Sequence, residues 1–66
     1  MYYITGDLLG RERWWTGAKW VRPADVREDD IDIKSFVRHG NAINAARKIV
    51  PDFPQYTIQV NCTKRG

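Results

Sequence analysis

The sequence is poor in the residues that build disulfides and metal sites, with one cysteine and one histidine among 66 residues. Cys62 cannot form a disulfide within the chain, whereas secreted domains of this size normally carry several. We therefore expect a reducing, cytoplasmic location. His39 has no second ligand at metal-binding spacing, and one cysteine does not make a zinc site. The composition predicts no metal and no cofactor.

Long apolar runs and catalytic motifs are also missing. No stretch approaches the roughly 20 apolar residues of a membrane helix, and the first ten residues have no basic leader. Accordingly we expect no membrane partner and no export by a standard signal. The sequence holds no G-x-x-x-x-G-K-[ST] phosphate loop, and Ser35 and His39 lack the context of a catalytic triad. Because so short a chain forms one domain with one small core, we expect a binding protein and not an enzyme.

Charge is distributed unevenly along the chain, whose net charge is +3. Residues 24–32 carry Asp25, Glu28, Asp29, Asp30 and Asp32 against Arg27 alone. This segment is net negative by four, so the remainder has about seven positive charges in excess. We predict an acidic loop over 24–30 on a basic body, which suits a phosphate backbone or an acidic protein surface.

The clearest helical pattern lies in residues 41–50. Four apolar residues recur at helical spacing and share one face: Ala42, Ala45, Ala46 and Ile49. Asn41 is a favourable N-cap, and Pro51 cannot continue the hydrogen-bond ladder. The sequence predicts one short amphipathic helix from Asn41 to about Val50.

Alternating patterns predict strands on both sides of this helix. Residues 56–63 place Tyr56, Ile58, Val60 and Cys62 on one side and polar residues on the other. Residues 1–9 form a first strand with a possible bulge at Gly6, and residues 13–22 form an aromatic second strand that ends before Pro23. Residues 30–40 fit either a helix or a third strand with Ile31, Ile33 and Val37 on one face. We favour the strand, since a helix would carry Gly40 in its interior. The predicted fold is α+β, a small antiparallel sheet of three to four strands packed on one short helix, in the order β-β-β-α-β.

The stretch from Asn41 to Cys62 joins an Ala-rich helix of the A-x-x-A-A-R-K-I type to a closing alternating strand. It resembles small phage-encoded inhibitor proteins, including anti-CRISPR proteins. The resemblance covers about a third of the chain. It implies no catalytic residues, only a small rigid surface that occludes a site on a larger host complex.

The candidate binding site is the second predicted strand together with Arg11 of the loop before it, and it combines tryptophans with basic residues: Arg11, Arg13, Trp14, Trp15, Lys19, Trp20 and Arg22. In an unbroken strand Trp14 and Trp20 share a face, and Trp15 lies exposed on the other. Tryptophan and arginine dominate protein-binding hot spots, and exposed rings beside basic groups also stack single-stranded bases.

Two functional hypotheses follow from this cluster. The first is docking on a host protein or ribonucleoprotein complex that handles nucleic acid, and the second is direct binding of single-stranded nucleic acid on the sheet face. Alternatively, the three indoles complete an undersized core or a dimer contact. A homodimer is a further hypothesis, in which Asp25 to Asp32 of one copy contact the basic hairpin of another.

Overall fold

A computed structural model describes residues 1–29 and 31–62 of the chain. Its elements, in chain order, are β1 (Tyr2–Leu8), β2 (Arg11–Trp15), β3 (Trp20–Val21), α1 (Pro23–Glu28), β4 (Ser35–Phe36), α2 (His39–Ile49), a 3₁₀ turn (Val50–Asp52) and β5 (Thr57–Cys62). The predicted α+β class, an antiparallel sheet packed on a helix, is confirmed. Within the described ranges, no helix has the length and apolar character needed to span a bilayer.

The central strand of the sheet is β1. Along its whole length it pairs with β5, from Tyr2 opposite Cys62 to Asp7 opposite Thr57. Its other edge is shared by β4 near its start and by β2 near its end, and β3 extends the sheet beyond β2. All of these pairings are antiparallel. The order of strands across the sheet is β3-β2-β1-β5, and β4 lies beside the first half of β1 on the same edge as β2.

The two faces of the sheet differ in what covers them. His39, at the start of α2, lies with its ring 5.0 Å from that of Tyr2. Tyr2, Ile4 and Gly6 alternate along β1 and therefore point to the side on which α2 packs, which we call the helix face. Ile4 and Ala42 are fully buried between the sheet and α2. The other side, which includes Thr5, is called the opposite face.

No β-bulge forms at Gly6, in contrast to the prediction from the sequence, because Gly6 pairs regularly with Arg13 of β2 and with Ile58 of β5. The reason for a glycine here is close packing. A Cβ atom at this position would lie 2.9 Å from ring atoms of both Trp20 and Tyr56.

Helix α2 ends where the sequence predicts, since Ile49 is followed by the 3₁₀ turn that contains Pro51. Its predicted start is wrong. The helix begins at His39, its N-cap is Arg38 without a side-chain hydrogen bond, and Asn41 lies inside the first turn. The contact of His39 with Tyr2 favours this earlier start, although Gly40 then lies in the helix at a cost in propensity.

The prediction of one continuous second strand over residues 13–22 is also wrong, because residues 16–19 form a turn between β2 and β3. Gly17 has a φ of 103°, a left-handed conformation that glycine adopts without strain. The Thr16 hydroxyl oxygen accepts hydrogen bonds from the N–H groups of Ala18 and Lys19, at 3.3 and 3.1 Å. This turn reverses the chain, so that Trp20 pairs with Trp15.

The segment predicted as an acidic loop contains helix α1, with Pro23 at its first position. A proline at that position followed by Asp25 in the first turn is a helix-start pattern. Asp30, also assigned to the loop, lies outside the described residues, as does Thr63 at the end of the last predicted strand.

Residues 31–40 do not form the favoured long strand. Ser35 and Phe36 alone pair with β1, residues 31–34 have no regular structure, and α2 has begun by His39. Val37, expected on a buried face, is 76% exposed. No single helix runs through this segment either, because Arg38 has an extended conformation.

A two-residue turn joins β1 to β2, and it contains a conformational mismatch. Leu9 and Gly10 have φ angles of 55° and 81°, the positive values of a type I′ hairpin. The Asp7 carboxylate accepts a 2.7 Å hydrogen bond from the Gly10 N–H. Leucine is a poor residue for this conformation, and Leu9 is 94% exposed, so its side chain contributes little packing.

We therefore expect Leu9→Asn to raise the free energy of unfolding by about 1 kcal/mol, since asparagine tolerates positive φ. Urea denaturation followed by circular dichroism measures this gain. Val37→Asn, also at an exposed site, is the control and should give no gain. A Leu9→Asn variant less stable than the wild type would contradict the assignment of the strain to this turn.

Candidate functional site

The seven predicted site residues do not lie on one surface. Leu8 pairs with Arg11, Gly6 with Arg13 and Trp15 with Trp20, which places Arg11, Arg13, Trp15 and Trp20 on the helix face. Trp14 pairs with Thr5 and Val21, so it lies on the opposite face. The prediction that Trp14 and Trp20 share a face is therefore wrong, because the turn at residues 16–19 interrupts the single strand on which that prediction depended.

Trp15 and Trp20 belong to a four-ring group with Phe53 and Tyr56, which we call the aromatic cluster. Trp20 is its centre, stacked on Tyr56 with ring centroids 4.9 Å apart and planes 10° from parallel. Trp15 lies 5.1 Å from Trp20, and the ring of Phe53 meets both indoles edge-on at 5.6 and 5.7 Å. These offset and edge-on geometries are the favourable ones for aromatic rings.

All four rings are half-buried, so the prediction that Trp15 is the exposed tryptophan is wrong. The rings cover one another and Gly6, while each keeps part of its surface at the solvent. The indole N–H of Trp20 is buried and has no hydrogen-bond acceptor among the described residues. The cluster is therefore both a satellite of the core and part of the surface.

Arg11 and Arg13 lie on the same face of β2 as Trp15, and Lys19 directly precedes Trp20 in the chain. Arg11 and Lys19 are exposed, whereas Arg13 is half-buried and donates a 2.8 Å hydrogen bond to the Glu12 carbonyl oxygen. We call Arg11, Arg13, Lys19 and the aromatic cluster together the hairpin face.

Arg22 is occupied within the chain, since its guanidinium donates two hydrogen bonds to the Asp25 carboxylate, at 3.2 and 3.0 Å. The hydrogen bond and charge of Arg22 lower the pKa of Asp25, and those of Asp25 raise the pKa of Arg22. Because the folded state favours the ionised carboxyl, this pair stabilises the fold above the ordinary pKa of an aspartate, and the contribution is lost as the pH falls through the lowered value. Asp25, expected to contact a second copy, has its partner in the same chain.

Two shallow depressions lie on the opposite face. The first, about 190 Å³ in volume, is an apolar groove between Tyr3, Trp14, Ile33 and Ser35, with the Tyr3 and Trp14 rings 5.3 Å apart. The second, about 310 Å³, is polar and is lined by Thr5, Gly6, Asp7, Gly10, Glu12, Thr57, Gln59 and Asn61. Asn61 donates a 2.6 Å hydrogen bond to the Thr5 hydroxyl beneath it. The charged residues of this face in β1 and β2 are acidic, Asp7 and Glu12.

Comparison of the chain with protein-family models, with curated proteins and with solved structures found no match. Within residues 1–29 and 31–62, no group of three His, Cys, Asp or Glu side chains is placed to hold a metal ion.

Sequence reasoning did not include Phe53 and Tyr56 in the site, although they complete the aromatic cluster. Both belong to the segment F-P-Q-Y after α2, which contains the turn at Pro54 and Gln55. Aromatic residues on both sides of a proline turn, directly before a strand, were the available signal. Their position opposite Gly6 depends on the pairing of β5 with β1, which no local pattern specifies.

Proposed function

We propose that this chain is a non-enzymatic binding protein of the small phage-type inhibitor or modulator class, which docks its hairpin face on a larger host protein complex that handles nucleic acid. The aromatic cluster carries the proposal, because its four half-buried rings stay partly exposed on the face of the sheet that also carries Arg11 and Arg13. Tryptophan, tyrosine and arginine are the residues that contribute most to protein-binding hot spots.

The geometry of the rings favours a protein partner over stacked bases. Trp20 has one ring face against Tyr56, and Trp15 and Phe53 pack against it from the side. A base-stacking platform needs a free ring face for each base, whereas a protein interface can use partly exposed ring edges and flanking cations. On the opposite face, Asp7 and Glu12 would repel a phosphate backbone.

Nucleic acid remains a second candidate partner through a different part of the chain. Residues 33–51 contain Lys34, Arg38, Arg47 and Lys48 and no acidic residue, and all four of these side chains are exposed. Exposed basic side chains without neighbouring acidic residues suit phosphate contacts, whose affinity falls steeply as the salt concentration rises.

Two charge-reversal variants distinguish these partners. Arg11→Glu/Lys19→Glu changes the hairpin face, and Arg47→Glu/Lys48→Glu makes the same change in charge on α2. The tagged wild type is expected to capture at least one bacterial protein. The α2 variant (Arg47→Glu/Lys48→Glu) should capture the same protein, and the hairpin variant (Arg11→Glu/Lys19→Glu) should not. Quantitative mass spectrometry of matched pull-downs measures this difference.

Fluorescence anisotropy with single-stranded and duplex oligonucleotides, at low and high salt, completes the test. If the wild type, the hairpin variant and the α2 variant captured every protein equally in the pull-downs, docking through the hairpin face would be contradicted. Salt-sensitive oligonucleotide binding that only the α2 variant loses would support the second candidate instead.

A further inference from the structure

The outer edge of β5 is the long free edge of the sheet. β1 is paired along both of its edges, while β5 pairs with β1 alone in the described part of the chain. Among the described residues, no backbone hydrogen bond joins residues 57–61 to a loop or turn. In an antiparallel ladder every second residue of an edge strand points its N–H and C=O groups away from the sheet. Several backbone donors and acceptors of β5 therefore face outward.

This edge lacks the devices that normally prevent strands from pairing between molecules. Edge strands are usually kept very short, interrupted by proline or a bulge, or marked by charged side chains. β5 is six residues long, TIQVNC, has no proline and no charged residue, and keeps a continuous register with β1. The other end of the sheet is protected, because β3 has two residues and Pro23 follows it closely.

We propose that two copies of the chain pair through β5, antiparallel and related by a two-fold axis at Gln59. This arrangement places Gln59 opposite Gln59 of the second copy, Ile58 opposite Val60, and Thr57 opposite Asn61. The sheet then continues without a break from β3 of one copy to β3 of the other.

The sequence of β5 is self-complementary in this register. Ile58 and Val60 point to the helix face and keep exposed surface, so their apposition across the axis covers apolar atoms that the monomer leaves at the solvent. Thr57, Gln59 and Asn61 point to the opposite face, where their polar groups meet one another. No like charges come together, because the strand has none.

The dimer leaves the β2 and β3 part of the hairpin face available. Arg11, Arg13, Trp15 and Trp20 lie on β2 and β3, on the other side of β1 from β5, whereas Tyr56 directly precedes β5. The proposed dimer therefore does not depend on the proposed function, and it gives each assembly two copies of the docking surface. The dimer also differs from one held by the acidic segment, since it uses no ion pair.

Gln59→Lys is the primary test, because it places two positive charges opposite each other at the axis. Gln59 is exposed, so the monomer fold should accept the change. In sedimentation equilibrium we expect the wild type to dimerise and Gln59→Lys to dissociate about fivefold more readily. Mixing equal amounts of Gln59→Lys and Gln59→Glu should restore the dimer. Gln55→Lys, at an exposed position before β5, is the matched control and should dimerise like the wild type.

Cysteine cross-linking gives a second measurement that does not depend on charge. Directly opposed residues in an antiparallel pair have Cα atoms about 4.5–5.5 Å apart, within disulfide range. In a Cys62→Ser background, Gln59→Cys should oxidise to a covalent dimer and Gln55→Cys should not. A wild type that is monomeric at high micromolar concentration would overturn the proposal. So would a dimer that Gln59→Lys leaves intact or a failure of Gln59→Cys to cross-link.

Discussion

Replacing Ile4 with alanine is expected to lower the free energy of unfolding by about 2–5 kcal/mol, the usual cost of truncating a buried aliphatic side chain. Ile4 is fully buried, and it lies on the central strand where α2 packs against the sheet. A domain of this length has a total stability of about 3–10 kcal/mol. The variant should therefore be partly or largely unfolded at room temperature, as measured by urea denaturation and circular dichroism.

Val37→Ala is the control for this prediction, since it also removes aliphatic carbon but at a site that is 76% exposed. Its effect should stay within about 0.5 kcal/mol. Ile58→Ala should fall between the two, because Ile58 is half-buried on the same face as Ile4. An Ile4→Ala variant with an unchanged denaturation midpoint would show that the core does not lie between β1 and α2.

The elements predicted correctly from the sequence are those in which the repeating pattern of apolar side chains extends over enough residues to be unambiguous. Ala42 and Ala46 recur at helical spacing and are buried, and Ile58 and Val60 alternate with polar residues as expected of β5. The first strand is likewise present from Tyr2 to Leu8. In these segments local propensity and tertiary packing favour the same structure, so the pattern alone was sufficient.

The errors fall where tertiary contacts or turn chemistry outweigh the local pattern. Aromatic residues on both sides of Thr16 and Gly17 indicated one strand, but the Thr16 hydroxyl and the left-handed Gly17 form a turn between two short strands. At α2, Asn41 was the best local cap, yet the helix starts two residues earlier against Tyr2. The periodicity of apolar side chains along the sequence does not reveal a hydroxyl hydrogen bond or a contact with a distant strand.

The turn at residues 16–19 also explains why the candidate site could be predicted only in part. Arg11, Arg13 and Trp15 share a face by alternation along β2, whereas Trp20 joins them because the turn pairs it with Trp15. Trp14 belongs to the other face beside Tyr3, and Arg22 is held by Asp25. Phe53 and Tyr56 join the cluster through long-range pairing of β5 with β1, which the sequence alone does not specify.

The second large effect is expected at the centre of the aromatic cluster. Trp20→Ala should lower the free energy of unfolding by up to about 3–5 kcal/mol, because it removes the ring that stacks on Tyr56 and contacts Trp15 and Phe53. Trp15→Ala should cost less, since that ring lies at the side of the stack. Urea denaturation of both variants measures the two losses.

Gly6 provides an independent test of the same packing. A Cβ at Gly6 would lie 2.9 Å from ring atoms of Trp20 and Tyr56, so Gly6→Ala should cost about 1–3 kcal/mol through overpacking. Gly40→Ala is the matched control, because its Cβ would meet nothing within 4 Å and alanine favours the helix, which makes a small gain the expected result. In a Trp20→Phe background the smaller ring relieves part of the crowding, so Gly6→Ala should cost less there than in the wild type. If the cost of Gly6→Ala were the same in both backgrounds, the Trp20 ring would not lie over Gly6, and the aromatic cluster would not be anchored on the central strand.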